Sequence, residues 1–163
     1  MTKSQLNSAL HENEDIPDYE DDEDEIQHNG QTEIPVAVQE AFDKAFPHAE
    51  DISFGLDVNA LGDAIYAIEF TQQDLEVEAT YSANGELLKL EQEIELDELP
   101  ASVNDSLMQV YPDAIYFKAE KIAGPDGLVS AYRVELEEDD VELEIQLDAE
   151  GKIINTGQDE EYA

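Results

Sequence analysis

Residues 132–147 read YRVELEEDDVELEIQL. Apolar Tyr132, Val134 and Leu136 alternate with charged Arg133, Glu135 and Glu137, and the alternation resumes as Val141, Leu143, Ile145 and Leu147 against Glu142, Glu144 and Gln146. Two runs of period two, separated by the acidic Glu138-Asp139-Asp140, describe an antiparallel hairpin with one buried face. That face is aliphatic; the wet face is almost wholly anionic. Nearly the same text occurs earlier in the chain.

Upstream, Tyr66, Ile68 and Phe70 alternate across 64–71, and Leu75, Val77, Ala79 and Tyr81 across 75–82. Asn84-Gly85 is a tight-turn signal, and 87–94 reads as the returning strand. A first strand is expected over 51–56, followed by a loop over 57–63. Before it, Val38, Ala41, Phe42 and Ala45 fall at i, i+3, i+4 and i+7, one apolar face of a helix that Pro47 ends. Pro35 suits the first helical position, where a missing N–H costs nothing.

From Leu99 the pattern restarts. Leu99-Pro100 matches Ile34-Pro35, Val103 matches Val38, Leu107 matches Phe42, and Tyr111-Pro112 matches Phe46-Pro47, at an offset of 65 residues. Past the loop at 124–127 the offset is 66, with Tyr132 on Tyr66, Glu135 on Glu69, Glu142 and Glu144 on Glu76 and Glu78, and Gly151 on Gly85. Prolines, turns and both strand faces correspond together, so the chain reads as an internal duplication. The expected fold is α+β: two tandem repeats, residues 34–97 and 98–157, each one helix packed on an antiparallel sheet of about four strands, with the other sheet face open.

Charge bounds the function. Asp and Glu number 43 against 7 Lys and Arg, a formal net charge of -36 in 163 residues. Residues 34–97 hold 15 acidic and 2 basic residues and residues 98–163 hold 17 and 4, so each part is net -13. Residues 1–33 add 11 acidic residues and one Lys, and with so few large apolar side chains they are expected to form a disordered tail. Residues 158–163 read as a short acidic C-terminal tail.

Such a balance argues against binding nucleic acid, which needs clustered cations to displace counterions. No run approaches the roughly 20 apolar residues of a membrane helix. Residues 1–15 also lack the apolar run of about 7–15 residues of a secretory signal. The chain is therefore expected either to be cytoplasmic or to begin after a removed signal. With no Cys, disulfides, thiolate metal sites and Cys nucleophiles are excluded.

Catalysis finds no support. His11, His28 and His48 have no nucleophile or ligand at motif spacing. The stretch from Asp57 to Asp63 opens like a calcium-binding loop, but Leu61 and Ile68 stand where ligands at positions 5 and 12 belong, and the flanks read as strands. No enzyme and no cofactor are expected, only weak, dispersed binding of divalent cations such as Ca2+ to the tail or the Glu faces.

The remaining candidate is the open face. Glu69, Thr71, Glu76, Glu78 and Thr80 should form it in the first repeat, and Arg133, Glu135, Glu137, Glu142, Glu144 and Gln146 in the second. Glu69, Glu76, Glu78, Arg133, Glu135, Glu142 and Glu144 are the candidate partner-binding residues. Like charges facing one another across strands destabilise a sheet, so cations, salt, a basic partner or the depth of the core must offset them.

The motif of Leu or Ile before Pro, a short helix ending in Phe/Tyr-Pro, and strands closing on Tyr-Ser-Ala-Asn-Gly-Glu-Leu-Leu or Leu-Asp-Ala-Glu-Gly-Lys-Ile-Ile resembles the PepSY-like, β-lactamase-inhibitor-like domains. The resemblance covers 34–157, and the tandem form is similar to the β-lactamase inhibitory fold of two helix-plus-sheet repeats. It implies a small, exported, non-enzymatic protein of the periplasm or exterior that binds or inhibits another protein. The partner would be a protein, basic or an enzyme, met through the sheet faces. The chain departs from the inhibitory fold in lacking disulfides and aromatic anchors on its open face. An alternative expectation is an acidic cation-binding or nucleic-acid-mimicking protein, whose Glu ladders engage divalent cations or a basic partner. A third is a structural protein whose acidity reflects a salty milieu.

Overall fold

The computed structural model describes residues 33–158. The expected tail therefore lies outside the described residues up to position 32, as do positions 159–163 of the C-terminal tail. The order is α1 (Val36–Ala45), β1 (Glu50–Val58), β2 (Ala64–Gln72), β3 (Leu75–Ser82) and β4 (Leu87–Ile94). A single 3-10 turn (Leu96–Glu98) leads to α2 (Ala101–Val110), β5 (Ile115–Ala123), β6 (Val129–Glu138), β7 (Val141–Asp148) and β8 (Ile153–Gln158).

The eight strands form one antiparallel sheet in chain order. This corrects the expectation of separate sheets, because β4 pairs directly with β5, with Leu90 opposite Ala123 and Ile94 opposite Ala119. A strand ending one half and a strand opening the next would otherwise each leave a row of backbone groups unpaired. The pairing joins them across the intervening helix.

Alternation sets the two faces. Val38 and Phe42 of α1 pack on Ile68, Phe70, Val77, Ala79 and Tyr81. Val103 and Leu107 of α2 pack on Ile94, Ala119, Val134, Leu136, Ile145 and Leu147. Leu90 joins the first cluster and Ile94, four residues along the same strand, the second, so both helices cover one face of the sheet. Phe42, Phe46 and Phe70 meet with ring centroids 4.7–5.6 Å apart. No helix among the described residues is long and apolar enough to cross a membrane.

Local chemistry fixes the joints. Pro35 and Pro100 stand one position earlier than expected, as N-caps rather than first helical residues. Their carbonyls accept the first helical N–H groups, from Val38 and Gln39 and from Val103 and Asn104. Gln73-Asp74 and Asp139-Asp140 have positive φ at both positions, the two-residue turn whose twist matches flanking strands. Glu138 belongs to β6 and pairs with Val141, so the acidic turn is one residue shorter than it reads.

Gly85 and Gly151 close the β3–β4 and β7–β8 turns with φ of 85° and 89°. A Cβ at Gly85 would lie 2.5 Å from the Ala37 carbonyl oxygen, and one at Gly151 would collide with the Ser102 carbonyl. Each helix thus starts against a turn that only glycine fits. Gly62 has φ of 86°, but a Cβ there would meet nothing within 4 Å. Gly62→Ala is therefore expected to cost only the left-handed backbone term, about 1–2 kcal/mol. Gly85→Ala adds displacement of α1 and should cost clearly more, read as the larger drop in urea midpoint.

Candidate functional site

Among the described residues no element covers the face opposite the helices, and strand register decides what meets there. On one row Ser53, Glu69, Glu78, Glu91, Ile122 and Ala131 are successive partners from β1 to β6. On the next, Thr71 faces Glu76, while Glu93, Glu120, Arg133 and Gln146 line up across β4 to β7. A third carries Lys118, Glu135 and Glu144. The centre of this face is a depression of about 330 Å³, whose charged lining is Asp51, Glu69, Glu76, Glu78, Glu91, Glu120, Lys118 and Arg133.

The sequence-predicted residues divide. Glu69, Glu76, Glu78 and Arg133 line the depression. Glu144 borders it, 3.3 Å from Arg133 Nε, and Glu135 stands opposite both Lys118 and Glu144. Glu142 faces Glu137 near the β6–β7 turn, outside the lining. Sequence reasoning missed Lys118, Glu120, Glu91 and Lys89. The last two lie in a strand that the sequence does predict, and the alternation of Lys89, Glu91 and Glu93 is the signal that could have found them. Lys118 and Glu120 are hidden by a bulge: β5 pairs Tyr116 with Leu136 but Lys118 with Glu135, so Phe117 is an extra residue that breaks the period.

These missed residues answer how the Glu ladder is tolerated. Arg133 Nη2 donates to Glu91 Oε1 at 2.8 Å and Nη1 to Glu120 Oε2 at 3.0 Å. Lys118 Nζ lies 2.6 Å from Glu76 Oε2 and 3.4 Å from Glu120 Oε1, and Lys89 Nζ 3.2 Å from Glu91 Oε1. The backbone N–H of Glu76 donates to Glu93 Oε2 at 3.0 Å. Three of the seven cations therefore sit inside one carboxylate cluster. Arg133 Nε alone of that guanidinium is buried without a hydrogen bond.

Protonation follows the same division. Burial pushes the Glu91 carboxyl up, but the hydrogen bond and charge of Arg133, helped by Lys89, outweigh it and hold the group below its ordinary value. Glu78 moves the other way: burial, the neighbouring Glu91 charge and a carboxyl–carboxylate hydrogen bond to Glu91 raise it, against a smaller pull from Lys89. Burial would lower Lys118 and Arg133, yet their carboxylate partners raise both. Among the described residues no group of three or more His, Asp or Glu is arranged to hold a metal ion.

The family model described as "Putative beta-lactamase-inhibitor-like, PepSY-like" matches residues 25–89 and again 64–155. The chain belongs to this family. Solved structures carry the PepSY-like fold likeness further. One is a protein from Bacteroides eggerthii described as a "putative periplasmic" protein, 17% identical, covering 78% of this chain and 90% of its own, with a TM-score of 0.66. Another is a "BLIP-like protein" from Bacteroides fragilis, 18% identical, covering 83% of this chain and 96% of its own, with a TM-score of 0.60. Among curated proteins none matches. At these identities the structures establish a shared fold, and the PepSY-like sheet face described above is this chain's own.

Two outcomes follow from the cluster. Arg133→Met leaves the buried Glu91 carboxylate with only the half-exposed Lys89 and should cost about 2 kcal/mol in urea unfolding, whereas Arg133→Met with Glu91→Met should recover most of it, since removing both charges removes the desolvation penalty. The pH response splits about the ordinary value of 4.5. Glu91, lowered in the fold, contributes stability above 4.5 that is lost as pH falls through its folded value. Glu78, raised in the fold, contributes below 4.5 and loses it as pH rises through its folded value. Glu78→Gln should therefore gain most over the parent at neutral pH, with the difference shrinking toward about pH 4.5 in paired thermal melts.

Proposed function

We propose that the chain is an exported, non-catalytic binding module that engages a basic region of a partner protein through the open face of its sheet. The observation that carries this reading is the depression at the centre of that face. Six carboxylates and two cations line it. The cations are concentrated on β4 to β6, so the half formed by β1 to β3 keeps Asp51, Glu69 and Glu78 with no ion pair among the described residues. A surface that is half self-neutralised and half anionic favours a partner bearing Lys or Arg there, and repels acidic ones.

Organisation supports a module made by duplication, one helix and four strands over 34–97 and again over 98–157. The helices and β1/β5 begin 65 residues apart, and β3/β7 and β4/β8 66 apart. The glycine-backed helix starts recur at Gly85 and Gly151. The non-catalytic reading is supported by the family, described as β-lactamase-inhibitor-like. Export is supported by the periplasmic description of the Bacteroides eggerthii protein. Whether the partner is an enzyme that is thereby inhibited is an outcome of its identification.

Site-specific photo-crosslinking tests the surface. A photoreactive residue at Thr71, within the depression, should give an adduct from envelope extract that disappears when Glu69 and Glu78 are both changed to Lys. The same probe at Asp43, on α1, should give none. Adducts from the helix face alone, or adducts indifferent to Glu69→Lys with Glu78→Lys, would sink the reading.

A further inference from the structure

Among the described residues β1 is one end of the sheet, with β2 on one side and no strand on the other. Natural edge strands are commonly blunted by Lys, Pro or a bulge that turns them away. β1, EDISFGLDV, contains neither Lys nor Pro, and its single irregularity lies between Glu50 and Ser53. Beyond that point the edge pairs regularly as far as Val58.

Its two faces carry different chemistry. Phe54, Leu56 and Val58 stand beside Ile68, Tyr66 and Ala64 on the helix face, yet are 39%, 56% and 58% exposed. On the other face Asp51 and Asp57, with Glu69 on the neighbouring strand, make no ion pair among the described residues. The molecule contains a control for this edge. β5 begins 65 residues later, has the same length and is bulged at the matching place, but β4 lies alongside it. There Ala119 and Ala123, which correspond to Phe54 and Val58, are only 1% and 8% exposed. The row that is sealed at β5 is larger, more apolar and open at β1.

We propose that β1 is a docking edge for an extended segment of a partner protein in which Lys or Arg alternates with aliphatic residues. Such a segment adds a ninth strand by backbone pairing, with its aliphatic side chains beside Phe54, Leu56 and Val58 and its cations beside Asp51, Asp57 and Glu69. A period of two satisfies both rows at once, and strand addition supplies affinity from the main chain and selectivity from alternate side chains. Charge selects this occupant over a second copy, which would set another strand carrying Glu50, Asp51 and Asp57 and no cation against this one. The inference rests on the proposed function in expecting a basic protein partner; its surface is the strand edge, which shares Asp51 and Glu69 with the depression.

The test titrates the isotopically labelled chain with a short peptide alternating lysine and valine, and with its analogue carrying glutamate for lysine. The expected result is amide shifts centred on β1, affinity that falls with added NaCl as exposed charges are screened, and no binding of the glutamate peptide. Phe54→Lys with Leu56→Lys, both at exposed positions, should weaken binding at least about tenfold while leaving amide shifts of β5 to β8 unchanged. Asp51→Asn with Asp57→Asn should weaken it and flatten its salt dependence. No binding of the lysine peptide at low salt overturns the proposal. Shifts centred on Lys118 and Arg133 that survive Phe54→Lys with Leu56→Lys overturn it too, but place a basic segment in the depression and leave the proposed function standing. A concentration-dependent dimer abolished by the same double change assigns the edge to a second copy instead. Binding at β1 without any Thr71 adduct would retain this proposal and remove the other.

Discussion

Pairing of β4 with β5 is the constraint on which the rest depends. It converts the strands before and after α2 into one sheet, and so gives both helices the same face to cover. It also brings Glu91 of β4 within 2.8 Å of Arg133 of β6, residues 42 apart in sequence. Without that junction, Arg133 would have Glu120 and Glu144 but not the buried carboxylate, and Lys118 would not reach Glu76. The charge cluster is thus a product of the seam rather than of either half.

The cluster in turn explains how so acidic a chain keeps a sheet. Carboxylates opposed across strands repel, by fractions of a kcal/mol for each exposed pair and more where water is excluded. The chain has too few cations to neutralise its surface. It places three of them where strands are most central and the carboxylates least wet, with Glu91 only 9% exposed at its side chain. Toward β1 the ladder is left to solvent, and there Glu69 is exposed. Glu78 lies between these regimes, and the rise in its proton affinity marks the boundary.

Much of this is legible in the residues. Alternation places β3 and β4 at their observed limits and puts Glu69, Glu76, Glu78, Arg133, Glu135 and Glu144 on one face, because side-chain direction in a strand depends only on parity. Turn chemistry at Asn84-Gly85 and the helix-ending prolines are equally local. What escapes the sequence is non-local or out of phase. The β4–β5 seam joins strands separated by a whole helix, and no local pattern specifies a partner at that distance. Phe117 shifts the parity of β5, so Lys118 and Glu120 drop out of any period-two count. The offset to the Glu ladder, left open among salt, cations, a partner and the core, is supplied within the chain by those hidden residues together with Lys89 and Arg133.

The distribution of charge also bears on how the two surfaces would work together. Internal cations make the β4–β6 half of the depression nearly neutral, with Lys118 and Arg133 set against Glu91 and Glu120. The exposed Glu69 costs little in the unbound protein because water solvates it. Asp51, Glu69 and Glu78 gain most from an incoming cation, having no ion pair among the described residues to lose. The cations are thus concentrated at the seam, and the ladder toward β1 is left without them. Reversing Lys118 and Glu69 would conserve net charge while abolishing that gradient, and the sheet would then have neither a neutral core seam nor a directional surface.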